Sequence, residues 1–415
     1  MFTISMRRSF LTLLVAVPLV LSGCSVHSSR SLSQSGSSVQ MDTSSSSEAS
    51  ASVAHQGEAV QPSLSPVSTA ANSVSSHVGI HQVSALRLAD ANTGWIAGDG
   101  QIARTDDGGA HWKTQYSGSA AVLQLFALNS KLVWATLDNG TGKSARLIRS
   151  TDGGSHWQTV GTVPNRSFLH FTNNKTAYSG SAVTTDGGAT WSKLPTPPSL
   201  IGDVYYHDAA NGWAVQSGKG KFMFLHTADE GKHWSTVMTR AAEAMPLDSL
   251  IRSTGKNDAW IELIGGSGMT QTSYSLFHTS DGGKSWLPAI VKNGAGSGPA
   301  PGFTMNDTGK YPSGTGSSPG ALYVVNPQTA FMGGQCMACD HPNTLTETTN
   351  GGKSWSVRKG EFDGYGPQFL SASDASHVWL VTTENEKPSV LYTSADGGRS
   401  WHTTYTFNKP KPVTK

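Results

Sequence analysis

Thr279-Ser280-Asp281-Gly282-Gly283-Lys284-Ser285-Trp286 follows the pattern T/S-x-D-x-G-x-x-W, and that pattern occurs seven times in the chain. The other copies place their acidic position at Asp107, Asp152, Asp186, Asp229, Asn350 and Asp396, and their tryptophan at Trp112, Trp157, Trp191, Trp234, Trp355 and Trp401. Recurrence at steps of 34 to 69 residues indicates an array of similar supersecondary units. An Asp followed by glycines suits a tight hairpin, because the carboxylate accepts bonds from N–H groups just ahead of it while glycine takes a positive φ without a steric penalty. The Thr or Ser hydroxyl is placed to tie the entering strand to that turn. The tryptophan is expected to open the next strand with a large apolar face.

A second feature is phased to the first. Upstream of each copy an aromatic follows a short polar turn, at Trp95, Trp134, Tyr178, Trp213, Trp260, Phe331 and Trp379. Each repeat therefore reads as four short strands, which in the first repeat are 83–89, 95–98, 101–105 and 112–116. Seven such units predict an all-β fold, a seven-bladed β-propeller of four-stranded antiparallel blades, which protects its sheet edges by radial closure. The phase begins at an inner strand and ends at an outer one, so no strand needs to be exchanged between the chain ends.

The eight-residue pattern resembles the Asp-box, or BNR, repeat of sialidases, some xyloglucan-cleaving glycosidases, sortilin-type receptors and the photosystem II stability/assembly factors. Seven copies make the resemblance specific for fold, and those relatives do different jobs on one scaffold. With its Gly-Trp strand starts and box hairpins, the globular part looks most like the photosystem II assembly factors. The resemblance implies a non-catalytic binding scaffold for envelope assembly, stabilisation or ligand capture.

Ahead of the repeats, Arg7 and Arg8 form a basic start, residues 10–20 an apolar run short for a membrane span, and Leu21-Ser22-Gly23-Cys24 follows. Residues 1–23 resemble a bacterial lipoprotein signal, which implies cleavage before a lipidated Cys24. The expected location is extracytoplasmic, anchored to the cell membrane, or to the outer membrane in a host that has one. Residues 24–78 are serine-rich and nearly free of aromatic and large aliphatic side chains, so they read as a disordered tether with a reach of roughly 40 Å. The propeller is expected over 79–408, with a tail at 409–415.

Thirty basic residues against 28 acidic ones leave the mature chain neutral once Arg7 and Arg8 are removed, so no long-range field points to nucleic acid. A monomer is expected, with an envelope protein or a surface glycan as partner. All 12 tryptophans are accounted for by the repeat. A carbohydrate site would have to rely on Tyr or Phe.

The sialidase subclass brings an Arg-x-Pro motif, and this chain has none. Arg104 and Arg149, each just before a box, read as packing residues of strand three. A glycosidase of another type needs two facing carboxylates. Asp203 and Glu262, on inner or near-inner strands of neighbouring blades, are the pair to try, against the plainer reading of solvated or channel-lining acids.

In a four-stranded blade the box hairpin shares a face with the one-to-two turns, while two-to-three loops and blade connections share the other. The long insertions fall on that other face: loops at 138–144, 217–221, 265–273, 335–344 and 384–388, and connections at 237–247 and 288–320. Loops on a rigid scaffold are where binding concentrates, so Asp307, Lys310, Tyr311 and Met337 are the binding candidates. Cys336 and Cys339 are the cysteines left beside Cys24, and a local disulfide is the default in an oxidising compartment. A thiol or metal module with His341 is the sharper alternative. No cofactor or resident metal is called for, because a helix N-terminus and a second ligand pair are both missing from the pattern.

Overall fold

The computed structural model describes residues 78–411; the signal-like start, Cys24, the serine-rich stretch to residue 77 and the last four residues lie outside the described residues. The described chain is a seven-bladed β-propeller of seven four-stranded antiparallel sheets, each made from one uninterrupted stretch of sequence. The innermost strands of blades 1 to 7 are Val83–Leu88, Val122–Ala127, Leu169–Phe171, Tyr205–Tyr206, Asp248–Arg252, Ser318–Val324 and Gln368–Ala372. No strand is exchanged to close the ring. Instead the two ends of the described chain meet, with Asn408 donating through its amide to Ile80 O at 3.1 Å and through its side chain to Val78 O at 2.8 Å.

All seven hairpins use the same hydrogen bonds. The Thr or Ser hydroxyl donates to the carboxylate two residues on at 2.7–3.0 Å. The same oxygen accepts the second glycine's N–H at 2.7–3.1 Å. The acid accepts the N–H four residues ahead at 2.9–3.0 Å, at the exit of the turn rather than at its start. Asn350 reproduces the arrangement through Oδ1 and spends its extra N–H on Ser354 Oγ at 2.8 Å. The residue after the acid donates to a carbonyl in the one-to-two turn of its own blade, as Gly282 does to Asn257 at 2.9 Å. Clasps and one-to-two turns therefore share a face.

The glycines are needed there. Gly282 and Gly283 have φ of 76° and 84°, and a Cβ on Gly283 would stand 2.9 Å from Val237 Cβ of the preceding blade. Blade 4 puts Glu230 at the first of these positions and holds it at φ 66°.

The clasp tryptophans do not open strand four, which starts one residue later, as at Lys113–Ser117. They turn back onto the preceding blade. Trp112 meets Trp379 edge-on at 6.1 Å, Trp286 meets Trp213 at 5.7 Å and Trp355 meets Trp260 at 6.2 Å. The core is accordingly seven apolar clusters, one at each blade interface. The seven strand-two aromatics are at most 2% exposed and anchor these clusters; truncating one to alanine is expected to cost about 3–5 kcal/mol.

Candidate functional site

The pairing of the first two strands fixes one inward position per blade. Arg87, Phe126, His170, Tyr205, Arg252, Tyr323 and Ser371 stand directly opposite the strand-two aromatics Trp95, Trp134, Tyr178, Trp213, Trp260, Phe331 and Trp379. These seven form a ring around the central channel. Six of them, all but Ser371, line a cavity of about 630 Å³ at the clasp-face end of the inner strands, with Phe168, Phe369 and Leu86 among its other walls. The walls are mainly aromatic and aliphatic, and no tryptophan contributes.

The ring residues interlock. The Arg87 guanidinium lies 4.7 Å from the Phe126 centroid and 5.9 Å from that of Tyr323, two blades away past Ser371. Arg252 lies 3.8 Å from the Phe168 centroid. His170 stacks on Tyr205 at 4.7 Å, and the Tyr205 hydroxyl donates to Ser253 O at 3.2 Å. Burial, reinforced by the charges of His207 and Arg252, pulls the His170 imidazole down to about 3, so it is neutral at ordinary pH. Burial likewise pushes the Tyr205 phenol up to about 12 and lowers the Arg252 guanidinium from its usual value.

A smaller cavity of about 260 Å³ lies at the opposite, long-loop end, among the starts of the inner strands of blades 3 to 5. Asp203 lines it beside Asp248 and Arg166. Glu262 lines neither cavity: it sits 3% exposed in the second strand of blade 5, Ala259–Ser267, with Oε1 unbonded. Burial pushes its carboxyl up to about 8, with Arg252 opposing and Asp248 adding to the rise. Asp203 and Glu262 are thus not brought into one cleft.

On the long-loop face, the connection between blades 5 and 6 is shorter than the sequence suggested. Strand four of blade 5 continues through Leu287–Lys292 and the inner strand of blade 6 begins at Ser318, leaving 293–317. Pro288 is tolerated because strand four is the sheet's outer edge. The connection is also no loose linker. Ala300 and Phe303 are buried, Arg240 lies 4.0 Å over the Phe303 ring, and Tyr311 packs edge-on against Phe303 at 5.1 Å. Asp307 caps the single turn Met305–Asp307 by accepting from the Thr304 N–H at 2.9 Å, and Lys310 pairs with it at 3.2 Å. Of the four binding candidates Lys310 and Met337 are solvent-exposed, Asp307 is partly spent on its turn, and Tyr311 belongs to the core edge.

Cys336 and Cys339 are bonded, with Cα atoms 5.4 Å apart. Their loop is braced by Tyr365, whose hydroxyl donates to Cys339 O at 3.0 Å. His341 pairs with Asp363 at 2.7 Å, which raises its pKa. Among the described residues no three His, Cys, Asp or Glu side chains group closely enough to hold a metal ion. Five of the eight exposed large apolar side chains, Leu247, Met269, Met305, Met337 and Tyr365, form an arc on this face on successive loops and connections from blade 4 to blade 7, and Phe168 lies apart from them in the connection from blade 2 to blade 3.

Sequence reasoning missed the channel ring. Its signal is a constant offset, since every ring residue stands eight positions before its strand-two aromatic.

No family model and no curated protein matches the chain. Solved structures similar to it include YCF48 bound to D1 peptide (15% identity over 72% of this chain and 88% of that one, TM-score 0.44). YCF48 from Cyanidioschyzon merolae is similar at 14% identity, over 77% and 95%, TM-score 0.45. The GH74 xyloglucanase from Xanthomonas campestris is similar at 14% identity, TM-score 0.49, over 79% of this chain and 55% of the enzyme. At these values the likeness is one of strand arrangement.

Proposed function

We propose that the chain is a non-catalytic, lipid-anchored extracytoplasmic scaffold that binds a protein of the cell envelope on its long-loop face. The observation that carries the reading is the arc of exposed apolar side chains on that face. Met269 is fully exposed and Leu247 is 73% exposed, whereas the clasp face presents turn residues whose polar atoms already bond one another. Methionines and aromatics on loops are adaptable contact groups for a protein surface. The anchor rests on the sequence alone: the basic start, the apolar run and Leu21-Ser22-Gly23-Cys24. A glycosidase is disfavoured because Asp203 and Glu262 face different surroundings and no tryptophan lines either cavity.

The test is a capture experiment on envelope extracts with the parent protein and with a Met269→Ser/Met337→Ser double variant, run beside a glycan-hydrolysis screen. A partner retained by the parent and lost by the variant supports the reading. Glycan hydrolysis by the parent, or identical capture by both proteins, overturns it.

A further inference from the structure

The channel ring departs from its own repeat in a way that packing does not explain. Six of the seven equivalent positions line a mostly apolar cavity, and two of those six are arginine. Each guanidinium lies over an aromatic ring, an arrangement that covers its face and leaves the N–H groups at its edge to find acceptors. Those acceptors are scarce. Arg87 Nε is buried without a hydrogen-bond partner, and Arg252 spends one NH group on the carbonyl of Ile251 at 2.8 Å. The arginines that pair with carboxylates among the described residues are Arg104, Arg166 and Arg358, all elsewhere.

Asp203 and Asp248 share the walls of the adjoining smaller cavity with Arg252 but form no ion pair with it among the described residues, and the other acids nearby are engaged elsewhere. Asp208, on the cavity wall, accepts bonds from the amides of Ala210 and Asn211 and from the Asn211 side chain at 2.8–2.9 Å. Asp258 is held by His278 at 2.9 Å and by Thr254 at 2.8 Å. Glu262, raised to about 8, is largely protonated at neutral pH and supplies little counter-charge to Arg252. The ring imidazole of His170 is neutral and has no hydrogen-bond partner at either nitrogen. The cavity therefore carries two arginines with no directly paired carboxylate, which is costly unless an anion completes the site.

We infer that the clasp-face end of the channel is a binding site for a small organic carboxylate, its charged end held by Arg87 and Arg252 and its apolar body packed on Phe126, Phe168, Tyr205 and Tyr323. The volume of about 630 Å³ lies in the range of small-molecule sites. The mainly apolar walls favour a singly charged carboxylate over a phosphate, whose second charge would lose hydration that two guanidiniums do not fully replace. This site is separate from the apolar arc of the long-loop face, so neither assignment depends on the other.

The test is calorimetric titration of the full-length protein with 3-phenylpropionate, with the neutral isostere 3-phenylpropionamide, and with inorganic phosphate. The carboxylate should bind about ten-fold or more tightly than the amide, the ratio that charge-assisted hydrogen bonds support. Arg87→Met and Arg252→Met should each weaken carboxylate binding by about ten-fold while leaving amide binding nearly unchanged, and Arg252→Lys should fall between. Equal binding of acid and amide would reduce the site to an apolar void. Tighter binding of phosphate, or no binding by any of the three, would overturn the carboxylate assignment. The acid-to-amide ratio is measured on the parent protein, so it decides the matter even where a methionine variant fails to fold.

Discussion

Glu262 gives the propeller a pH dependence opposite to that of most carboxylates. In the unfolded chain its carboxyl should titrate near the ordinary 4.5, whereas in the folded protein burial holds the proton until about 8. Between those values the native state binds more protons than the unfolded state, so stability falls as pH rises through the window and is lowest above about 8. A difference of that size corresponds to about 5 kcal/mol, most of it the cost of ionising a side chain that is 3% exposed and has an unbonded oxygen. Glu262→Gln keeps the shape and removes the titration. The variant should match the parent within about 1 kcal/mol below pH 4.5 and exceed it progressively up to pH 8. The assay is urea denaturation across that range, with equal m-values required before midpoints are compared. Arg252→Met supplies a control, since Arg252 is the group that opposes the rise; without it the window should extend upward. Parent and Glu262→Gln curves that run parallel across the window would refute the reasoning.

Asp281→Ala should cost about 1–2 kcal/mol, because it strips an acceptor from the buried Thr279 hydroxyl while the freed Ser285 groups rehydrate; Asp281→Asn should cost less, as Asn350 holds the same turn. The Ser285 hydroxyl and amide hold the Asp281 carboxyl down at about 2, so in urea titrations the Asp281→Ala deficit should be whole above pH 3.8 and fade as the pH falls toward 2. Glu230→Gly should stabilise the protein by about 1 kcal/mol in the same assay, relieving a left-handed backbone at φ 66°. Replacing 294–316 by a short Gly-Ser link should cost about 3–5 kcal/mol by calorimetry, because Phe303 leaves the interface between blades 4 and 5. Mass spectrometry of the mature protein should find an N-terminus at diacylated Cys24, and an unmodified start well downstream would remove the anchor.

The repeat made the fold legible. Seven hairpins and seven phased aromatics fixed blade number, strand order and the sharing of faces, because turn chemistry and two-residue alternation are local rules. What escaped were places where a long-range neighbour decides. Pro288 and the surrounding glycines look like linker until the outer edge of blade 5 is seen to accept a proline. Phe303 looks like a loop residue until Arg240 covers it from blade 4. Glu262 reads as a channel acid by its nearness to the inner strand, yet strand two is walled in on both sides and its carboxyl meets the interface with blade 6, near Tyr274. The ring itself was present in the sequence as an eight-residue offset, but alternation fixes only that a residue points inward and says nothing of what it meets there.

Departures from the repeat divide into two kinds. Asn350 and Glu230 break the clasp pattern, yet the clasp keeps its hydrogen bonds in both blades, so these are variations the scaffold absorbs at a cost of at most about a kcal/mol. Arg87, His170 and Arg252 break the apolar pattern of the ring and leave buried polar atoms without partners or charges without a directly paired carboxylate. Apolar residues would fill those three positions at lower free energy, as Phe126 and Tyr323 fill theirs. The acidic position and hydroxyl of the clasp keep their hydrogen bonds in all seven blades, whereas the channel places Arg87 Nε and both His170 nitrogens without partners around one cavity. Those polar groups facing one cavity are the basis for the carboxylate site proposed at the ring, independently of the loops, and the acid-to-amide ratio at Arg87 and Arg252 measures it directly.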